Sequence, residues 1–441
     1  MIGYRWALAA ILWLAPAPLG AQEHGHPAPE PDTMGTAMRP GPIGEPRSRE
    51  SSGTAWLPDA SPMHALHGVA GGWELMLHGV LYVHYLDDGG SRGREQFGAT
   101  NWAMGMARRT VAGGDMTLRA MLSADPLTAD ECGYPDLLAT GEFCGDEPLH
   151  DRQHPHDVFM ELTAVYERAI SETLALQLYG GPAGEPALGP VAFPHRISSF
   201  PNPIAPIAHH WLDSTHIAFG VATAGVYGRR WKAEASVFNG REPDSDRYDL
   251  DLDALDSQAG RLWLLPTERW ALQVSAGRLT DAEVHEIGGA PIDVTRVTAS
   301  ATYHRPLGDV GGWATTMAWG RNREQGHATQ AFLGETALNR SDRDVFYARL
   351  EVVEKTGGDL VLPEELEEET FTVAKLGLGY VRHLAPLGGF APGLGAGVTV
   401  SRVPGDLEPF YGEATPAGVQ LFFRLRPVPM PAGDHAHGGA R

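Results

Sequence analysis

The chain has 441 residues, with 34 Lys and Arg against 55 Asp and Glu, which gives a formal net charge of −21. An acidic balance of this size argues against nucleic acid as a partner, because binding to phosphates depends on basic residues. After residue 21 no stretch approaches the roughly 18 uninterrupted apolar residues that a spanning helix requires. A membrane form of this chain would therefore cross with strands.

The start of the chain predicts a secretory signal peptide over residues 1–21. Arg5 lies in a short basic head, an apolar run follows from position 6 to 14, and small residues lead to Ala21. The mature chain is expected to begin near Gln22. From there the chain is rich in Pro, Ser, Gly and charge without an apolar period, so residues 22–71 are predicted to form a mobile periplasmic segment.

Alternation of apolar and polar residues begins directly afterwards and continues almost to the end of the chain. In the first stretch Trp73 and Leu75 share one side, while Glu74 and His78 share the other. A register shift of one residue would turn charge towards lipid. The alternating stretches lie near residues 73–85, 98–109, 115–124, 157–169, 173–181, 214–227, 230–240, 256–265, 270–279, 293–305, 312–321, 329–338, 344–354, 371–383, 391–402 and 417–427.

The connectors between these sixteen stretches alternate long and short from one end of the chain to the other. This rhythm is typical of a transmembrane β-barrel with long external loops and short periplasmic turns. We therefore predict an all-β fold, an antiparallel transmembrane β-barrel of about sixteen strands over residues 72–427, followed by a His-containing C-terminal tail over 428–441. Barrels of about fourteen or eighteen strands and a soluble β-sandwich are the alternatives.

The two cysteines of the chain, Cys132 and Cys144, both lie in the second external connector, at about residues 125–156. An even number of cysteines in an exported chain favours pairing, because that compartment is oxidising. We expect a disulfide within this loop. The alternative is a pair of free thiols in a disordered loop.

The layout resembles that of the sixteen-strand general porins in strand number, in the periplasmic position of both ends and in a long third external connector over 181–213. In that family the third loop folds into the lumen and narrows it. The resemblance implies the same for this loop, and it implies the outer membrane of a Gram-negative bacterium, contact with outer-membrane lipid and a homo-oligomer. Shorter segments, such as HPHDVFMEL over 154–162, look like those of an uncharacterised group of bacterial outer-membrane barrel proteins.

Inward positions of the predicted strands carry charges of both signs. The predicted lumen-lining residues are Glu74, His78, Arg108, Arg119, Glu161, Lys232, Glu234, Arg261, Arg296, Arg349, Glu351 and Arg424. A mixed-charge wall suits a diffusion pore, because ions and small polar solutes are then neither trapped nor excluded. The same side chains could instead form salt bridges that seal the lumen. A barrel of this size is too wide for wall side chains to fill, so either a channel or a loop plug must occupy it.

Histidines and carboxylates crowd the second and third external connectors. Imidazole and carboxylate at this density can bind zinc or copper. In the competing interpretation they satisfy buried loop groups and lock an inward-folded loop. The candidate ligands are His150, His154, His156, Asp157, His195, His209 and His210, with Asp151, Asp213 and His216 nearby.

The two chain ends add a second group of histidines. Both ends should be periplasmic in this topology, so four imidazoles could meet around one soft cation. With Met34 and Met38, the N-terminal part resembles the Met- and His-rich leader of outer-membrane copper-resistance proteins. A solvated tail is the alternative. The histidines concerned are His24, His26, His435 and His437.

The predicted function is a porin-like channel for the passive passage of small hydrophilic solutes or ions. The alternative is a closed outer-membrane barrel that binds metal, copper or zinc, or a partner through its His-rich loops and tails. A third class is an outer-membrane hydrolase built on Ser198, Ser199, His195 and Asp213. No nucleophile-elbow sequence supports this class, and we predict that the chain is not an enzyme.

Overall fold

The computed structural model describes residues 38–145, 147–283, 290–308, 311–341 and 343–428. The predicted signal peptide, the tail beyond residue 428 and the four terminal histidines, His24, His26, His435 and His437, lie outside the described residues. In the ranges that are described, no helix is both long and apolar enough to cross a membrane.

Strands dominate the described part of the chain, where they number nineteen. Their bounds are β1 (Leu66–Ala70), β2 (Trp73–Asp87), β3 (Glu95–Val111), β4 (Gly114–Leu122), β5 (Tyr134–Cys144), β6 (Glu147–Gln153), β7 (Phe159–Ala169), β8 (Ala175–Ala183), β9 (Val221–Tyr227), β10 (Trp231–Phe238), β11 (Ser257–Leu264), β12 (Trp270–Glu283), β13 (Ile292–Leu307), β14 (Gly311–Glu324), β15 (His327–Asn339), β16 (Asp344–Thr356), β17 (Thr370–His383), β18 (Phe390–Arg402) and β19 (Ala417–Pro427).

Within the ranges described above, helical structure is confined to short turns outside the barrel wall. The α-helices are α1 (Asp125–Thr128), α2 (His209–Leu212) and α3 (Glu408–Tyr411), and 3-10 turns cover Arg47–Arg49, Ser214–His216, Glu364–Leu366 and Gly405–Leu407. The turn over Ser214–His216 explains why β9 begins later than the predicted 214. His216 Nδ1 lies 2.9 Å from the carbonyl oxygen of Asp213, and this contact closes a turn where an extended strand was expected.

Sixteen of the strands form a closed antiparallel barrel. Strands β2 to β4 and β7 to β19 each pair with the next, β4 pairs with β7, and β19 returns to pair with β2. This closure confirms the predicted sixteen-strand barrel and removes the alternatives of another strand number or an open sandwich. The short strand β1 is an addition that the alternation did not predict, and it pairs with the start of β2.

Side chains along each barrel strand alternate between an apolar outside and a polar inside. In β16, Phe346 and Leu350 are 45% and 51% exposed on the outer surface, whereas Arg349 and Glu351 are buried inside. A closed barrel with an apolar outer band and no free sheet edge is stable in lipid rather than in water. The chain is thus an outer-membrane β-barrel protein of a Gram-negative bacterium. Further outward apolar residues are Leu262, Val274, Phe332, Leu378, Val398 and Leu421.

Three of the segments that the structure describes fill the lumen, and the first differs from expectation. Residues 22–71 are predicted to be mobile, but residues 39–65, here called the plug segment, pack inside the barrel, with Arg47, Arg49 and Trp56 buried. The segment lies near the periplasmic end, since Ala60 N donates to the carbonyl of Glu268 in the β11–β12 turn. Its charged residues face wall residues of opposite charge. These ion pairs hold the segment in place, although its sequence has no apolar period.

The other two segments are external loops. Loop two (residues 123–158) carries the hairpin β5–β6 and the expected disulfide between Cys132 and Cys144. Loop three (residues 184–220) is buried along most of its length, including Leu188, Ala208 and Leu212. The main apolar core therefore lies inside the barrel, where Leu138, Ile207, Trp211 and Leu212 of the loops meet Ala331, Val353 and Val373 of the wall.

Candidate functional site

The candidate site is the occupied lumen. Ten of the twelve predicted lumen-lining residues are buried on the inner face, and Glu74 and His78 are half-buried there. The buried ten are Arg108, Arg119, Glu161, Lys232, Glu234, Arg261, Arg296, Arg349, Glu351 and Arg424. Most of these charges contact the plug segment or loop three, which the alternation of single strands does not reveal.

One ion-pair network joins the plug segment to the wall near the periplasmic end. Arg47 pairs with Asp115 at 2.8 Å and also with Glu167, while Glu50 accepts from Arg108 at 2.7 Å. Burial alone would raise the pKa of Glu50, but the neighbouring guanidinium groups of Arg108 and Arg47 outweigh it and lower the pKa to about 2. The carboxylate is therefore ionised and holds the plug segment against the wall.

A second network connects all three parts of the lumen. Arg261 of the wall donates to Glu234 at 2.8 Å, to Glu185 of loop three at 3.3 Å and to Thr54 of the plug segment at 3.0 Å. Lys232 donates to the carbonyl oxygen of Thr54. Movement of the plug segment would therefore remove the Thr54 contacts of Arg261 and Lys232, which keep their ion pairs with Glu234.

A third network fixes loop three. Arg196 is fully buried and pairs with Asp213 at 3.0 Å and with Glu335 of β15 at 2.5 Å. The hydroxyls proposed as hydrolase nucleophiles belong to the same network, because Ser198 Oγ lies 2.8 Å from Glu335 and Ser199 Oγ accepts from Arg349 at 2.7 Å. Their contacts anchor the loop.

The histidines of loops two and three form a cluster around Phe193. The rings of His156 and His216 lie 5.4 Å apart, and those of His209 and His216 lie 5.1 Å apart. His209 and His156 contact carboxylates, with Nδ1 of His209 2.9 Å from Asp213 and Nδ1 of His156 2.8 Å from a carboxylate oxygen of α1. Burial lowers the pKa of His209 and His216, which favours neutral imidazoles.

The remaining predicted ligands lie in different surroundings. His154 stands at the edge of the cluster, 6.4 Å from His209 between ring centres. Asp157 pairs with Arg247 at 3.4 Å. His150 contacts Asp151 at 2.8 Å. His195 lies against His78 and Trp102, with ring centres 5.4 and 4.5 Å away. The seven loop residues do not converge on one point.

One convergent set of ligand atoms involves His210 and two residues that sequence reasoning missed. His210 Nδ1 lies 3.2 Å from Glu242 Oε1, and ligand atoms of His210, Glu242 and Glu283 all lie within 4.8 Å of one another. The two glutamates come from the loop after β10 and the end of β12. No spacing motif links them, because three separate segments bring the ligands together.

Comparisons with known proteins show the fold and no closer relationship. No family model matches the chain, and no curated protein matches it. Among solved structures, the high-pH structure of Pseudomonas putida OprB matches with a TM-score of 0.50 and 8% identity, covering 81% of this chain and 94% of that one. Salmonella typhi OmpF in complex with daunomycin matches with a TM-score of 0.48 and 8% identity, covering 81% and 100%.

A third match is the outer membrane channel DcaP of Acinetobacter baumannii, with a TM-score of 0.44 and 8% identity, covering 82% of this chain and all of that one. At such identities the OprB likeness shows the fold alone. The predicted resemblance to sixteen-strand outer-membrane porins is confirmed at that level.

Proposed function

We propose that the chain forms a porin-like channel for small hydrophilic solutes or ions, held nearly closed by the plug segment and loop three. The proposal rests on the contacts that hold the plug segment against the barrel wall. Its anchors to the wall include ion pairs such as Arg47 with Asp115 and Glu50 with Arg108. Contacts of this kind can be exchanged for water, salt or a charged solute.

The wall behind the plug segment supports the same proposal. Once the segment moves, Arg108, Arg119 and Glu167 would line a water-filled path with both signs of charge. Wall side chains cannot close a lumen of this width by themselves. Displacement of the plug segment and of loop three would therefore open the path.

Single-channel conductance in planar bilayers tests the proposal. We compare the native chain, an anchor variant (Arg47→Gln with Glu50→Gln), and a control variant (Arg278→Gln with Asp293→Asn) that breaks an exposed ion pair outside the lumen. The native chain should give rare, small steps. The anchor variant should increase the open fraction at least about tenfold, the effect of about 1.4 kcal/mol, and the control should match the native chain.

The absence of current from all three folded proteins would overturn the channel proposal. Equal open fractions in the anchor and control variants would show that the plug segment does not gate the path. Folding is checked in each case by the heat-dependent mobility that closed barrels show in electrophoresis.

A second candidate function is the capture of a divalent cation at the external mouth. It is favoured by the group of His210, Glu242 and Glu283, whose nitrogen and oxygen ligands suit zinc. Calorimetric titration with Zn²⁺ tests it, with Glu242→Gln as the variant and Glu365→Gln, in an exposed turn, as the control. Loss of zinc binding in Glu242→Gln alone supports the site. Loss only when the four terminal histidines are replaced would assign the zinc to the tails.

A further inference from the structure

A row of sulfur and nitrogen donors crosses the inner face of three neighbouring strands. The strand register sets His78 of β2 opposite Met104 of β3, and Met104 opposite Met121 of β4. His195 of loop three lies against this row. Both methionines are buried, and His78 and His195 are half-buried. Four donor side chains from four segments therefore meet inside the lumen.

Both nitrogen–sulfur distances are close to the separation of two ligands on one small ion. His78 Nε2 lies 3.0 Å from Met104 Sδ, and His195 Nε2 lies 3.4 Å from Met121 Sδ. The two imidazole rings are 5.4 Å apart between centres, so the two pairs are adjacent. A nitrogen and a sulfur bound to one ion at about 2.0 and 2.3 Å lie about 3.5 Å apart at a tetrahedral angle. The first pair needs to open by about half an ångström.

The chemistry of these donors selects a soft, singly charged ion. Thioether sulfur binds Cu(I) and related soft ions, whereas zinc and harder cations prefer imidazole with thiolate or carboxylate. The indole of Trp102 adds an aromatic face beside the donors, with its ring centre 4.5 Å from that of His195 and 5.2 Å from that of His78. Such a face attracts a cation that has lost its water.

A cavity leads to the donors past further methionines. It is lined by Met38 and Met63 of the N-terminal region and by Met76, Met104 and Met106 of the wall. With Met121, six of the twelve methionines of the chain lie along this route. Methionines fill irregular cores well, but packing alone does not require two of them to face imidazole nitrogens at contact distance.

We propose that this pocket, here called the thioether pocket, binds one Cu(I) or Ag(I) ion through Met104, Met121, His78 and His195. The site is separate from His210, Glu242 and Glu283 and lies on the plug-segment side of loop three. It goes beyond the channel proposal and does not depend on it, because binding requires no conducting state.

Competition for Cu(I) with bicinchoninate tests the thioether pocket on the full mature chain in detergent, under anaerobic conditions. The pocket variant is Met104→Leu with Met121→Leu, which removes both sulfurs while nearly conserving volume. The matched control is Met317→Leu, whose side chain is 66% exposed on the outer surface. A tail variant replaces His24, His26, His435 and His437 by Gln.

The native chain, the control and the tail variant should each take up one Cu(I), and X-ray absorption should show sulfur scattering. The pocket variant should bind more than about tenfold more weakly, since loss of even an outer partner of a ligand costs about that much. Excess Zn²⁺ should not displace the ion. If the pocket variant does not fold, His195→Gln in loop three takes its place with the same expected loss.

Three results would overturn the proposal. The first is equal Cu(I) affinity in the pocket variant and the native chain. The second is loss of Cu(I) in the tail variant alone. The third is displacement of the ion by excess Zn²⁺. None of these results bears on bilayer conductance, so the failure of this proposal and the failure of the channel proposal are distinguishable.

Discussion

At the residue scale, the two buried carboxyl groups of loop three, Asp213 and Glu185, differ in how far their charged partners offset burial. Burial alone would raise the pKa of Asp213, but Arg196 and His209 outweigh it, and the pKa lies below its ordinary value. At Glu185 the balance is reversed. Burial raises the pKa of Glu185 to about 7 in spite of its contact with Arg261. Loop three therefore contains one carboxyl group whose ionisation opposes folding.

We expect Glu185→Gln to remove a pH dependence of stability. The pKa of Glu185 rises from 4.5 in the unfolded chain to about 7 in the fold, so its contribution is fully present below pH 4.5 and lost as the pH rises through 7. The largest linked change is about 3 kcal/mol. Melting curves measured between about pH 4 and pH 8 should show that stability falls less with rising pH in the variant than in the native chain. Parallel profiles for Glu185→Gln, the native chain and the exposed control Glu365→Gln would contradict this expectation.

At the element scale, loop three remains in the lumen because its backbone can approach the wall closely. A side chain at Gly320 of β14 would meet the carbonyl oxygen of Trp211 in α2 at 2.1 Å. Next to this contact, Asn322 donates to the carbonyl oxygen of His210 at 3.1 Å, and Trp211 Nε1 donates to Thr329 at 2.9 Å. A glycine in the strand thus makes room for the helix of the loop.

Gly320→Val should displace α2 while leaving the barrel closed. Overpacking of this kind costs about 1–3 kcal/mol. We expect it to destabilise the packing of loop three rather than the barrel, because β14 keeps its hydrogen bonds to the neighbouring strands. Limited proteolysis from the outside should cut loop three faster than in the native chain. The control is Gly334→Val in β15, where an added side chain meets open space. Equal cleavage rates in the two variants would refute the role of Gly320.

The disulfide of loop two should stabilise the hairpin β5–β6 rather than the barrel. Cys132 and Cys144 are 12 residues apart, and closing a loop of this size stabilises by about 3 kcal/mol. Reduction, or Cys132→Ser with Cys144→Ser, should speed hydrogen exchange over residues 134–153. Exchange in β13 to β16 serves as the internal reference and should not change. A uniform increase across the barrel would mean that the hairpin is part of its cooperative unit.

At the scale of the whole molecule, the wall could be predicted from the sequence because its signals are local. Alternation with period two and the lengths of connectors involve residues close in sequence, so sixteen strands and their order followed from them. The contents of the lumen have no such signal. Glu50 and Arg108 are 58 residues apart, and Arg47 and Glu167 are 120 apart, in a segment without an apolar period.

In the candidate sites, too, local features could be predicted from the sequence and contacts between distant segments could not. The alternation predicts that His78 and Arg261 point inward, but which loop residue meets them depends on the fold of loop three. The crowding of histidines drew attention to His210 and could not identify Glu242 and Glu283, which are separated from it in sequence and are two among many acidic residues. Convergence of side chains from distant segments becomes visible only in three dimensions.

The apolar band on the outer surface of the barrel should tolerate a charge near its edge better than at its middle. Leu350 lies near the middle of β16 and is 51% exposed on the outer surface, whereas Leu338 lies at the periplasmic end of β15 and is 36% exposed. An Arg at the middle of the hydrocarbon band costs about 2–4 kcal/mol, but near the interface only about 0–1 kcal/mol, because the side chain reaches water there.

Leu350→Arg should therefore destabilise the barrel much more than Leu338→Arg, although both introduce the same charge on the same outer face. Unfolding by urea in lipid vesicles measures both variants against the native chain. Equal destabilisation would mean that the outer surface has no hydrocarbon band at the height of Leu350. The assignment of this face to lipid would then fail, and with it the membrane position of the channel and of both proposed metal sites.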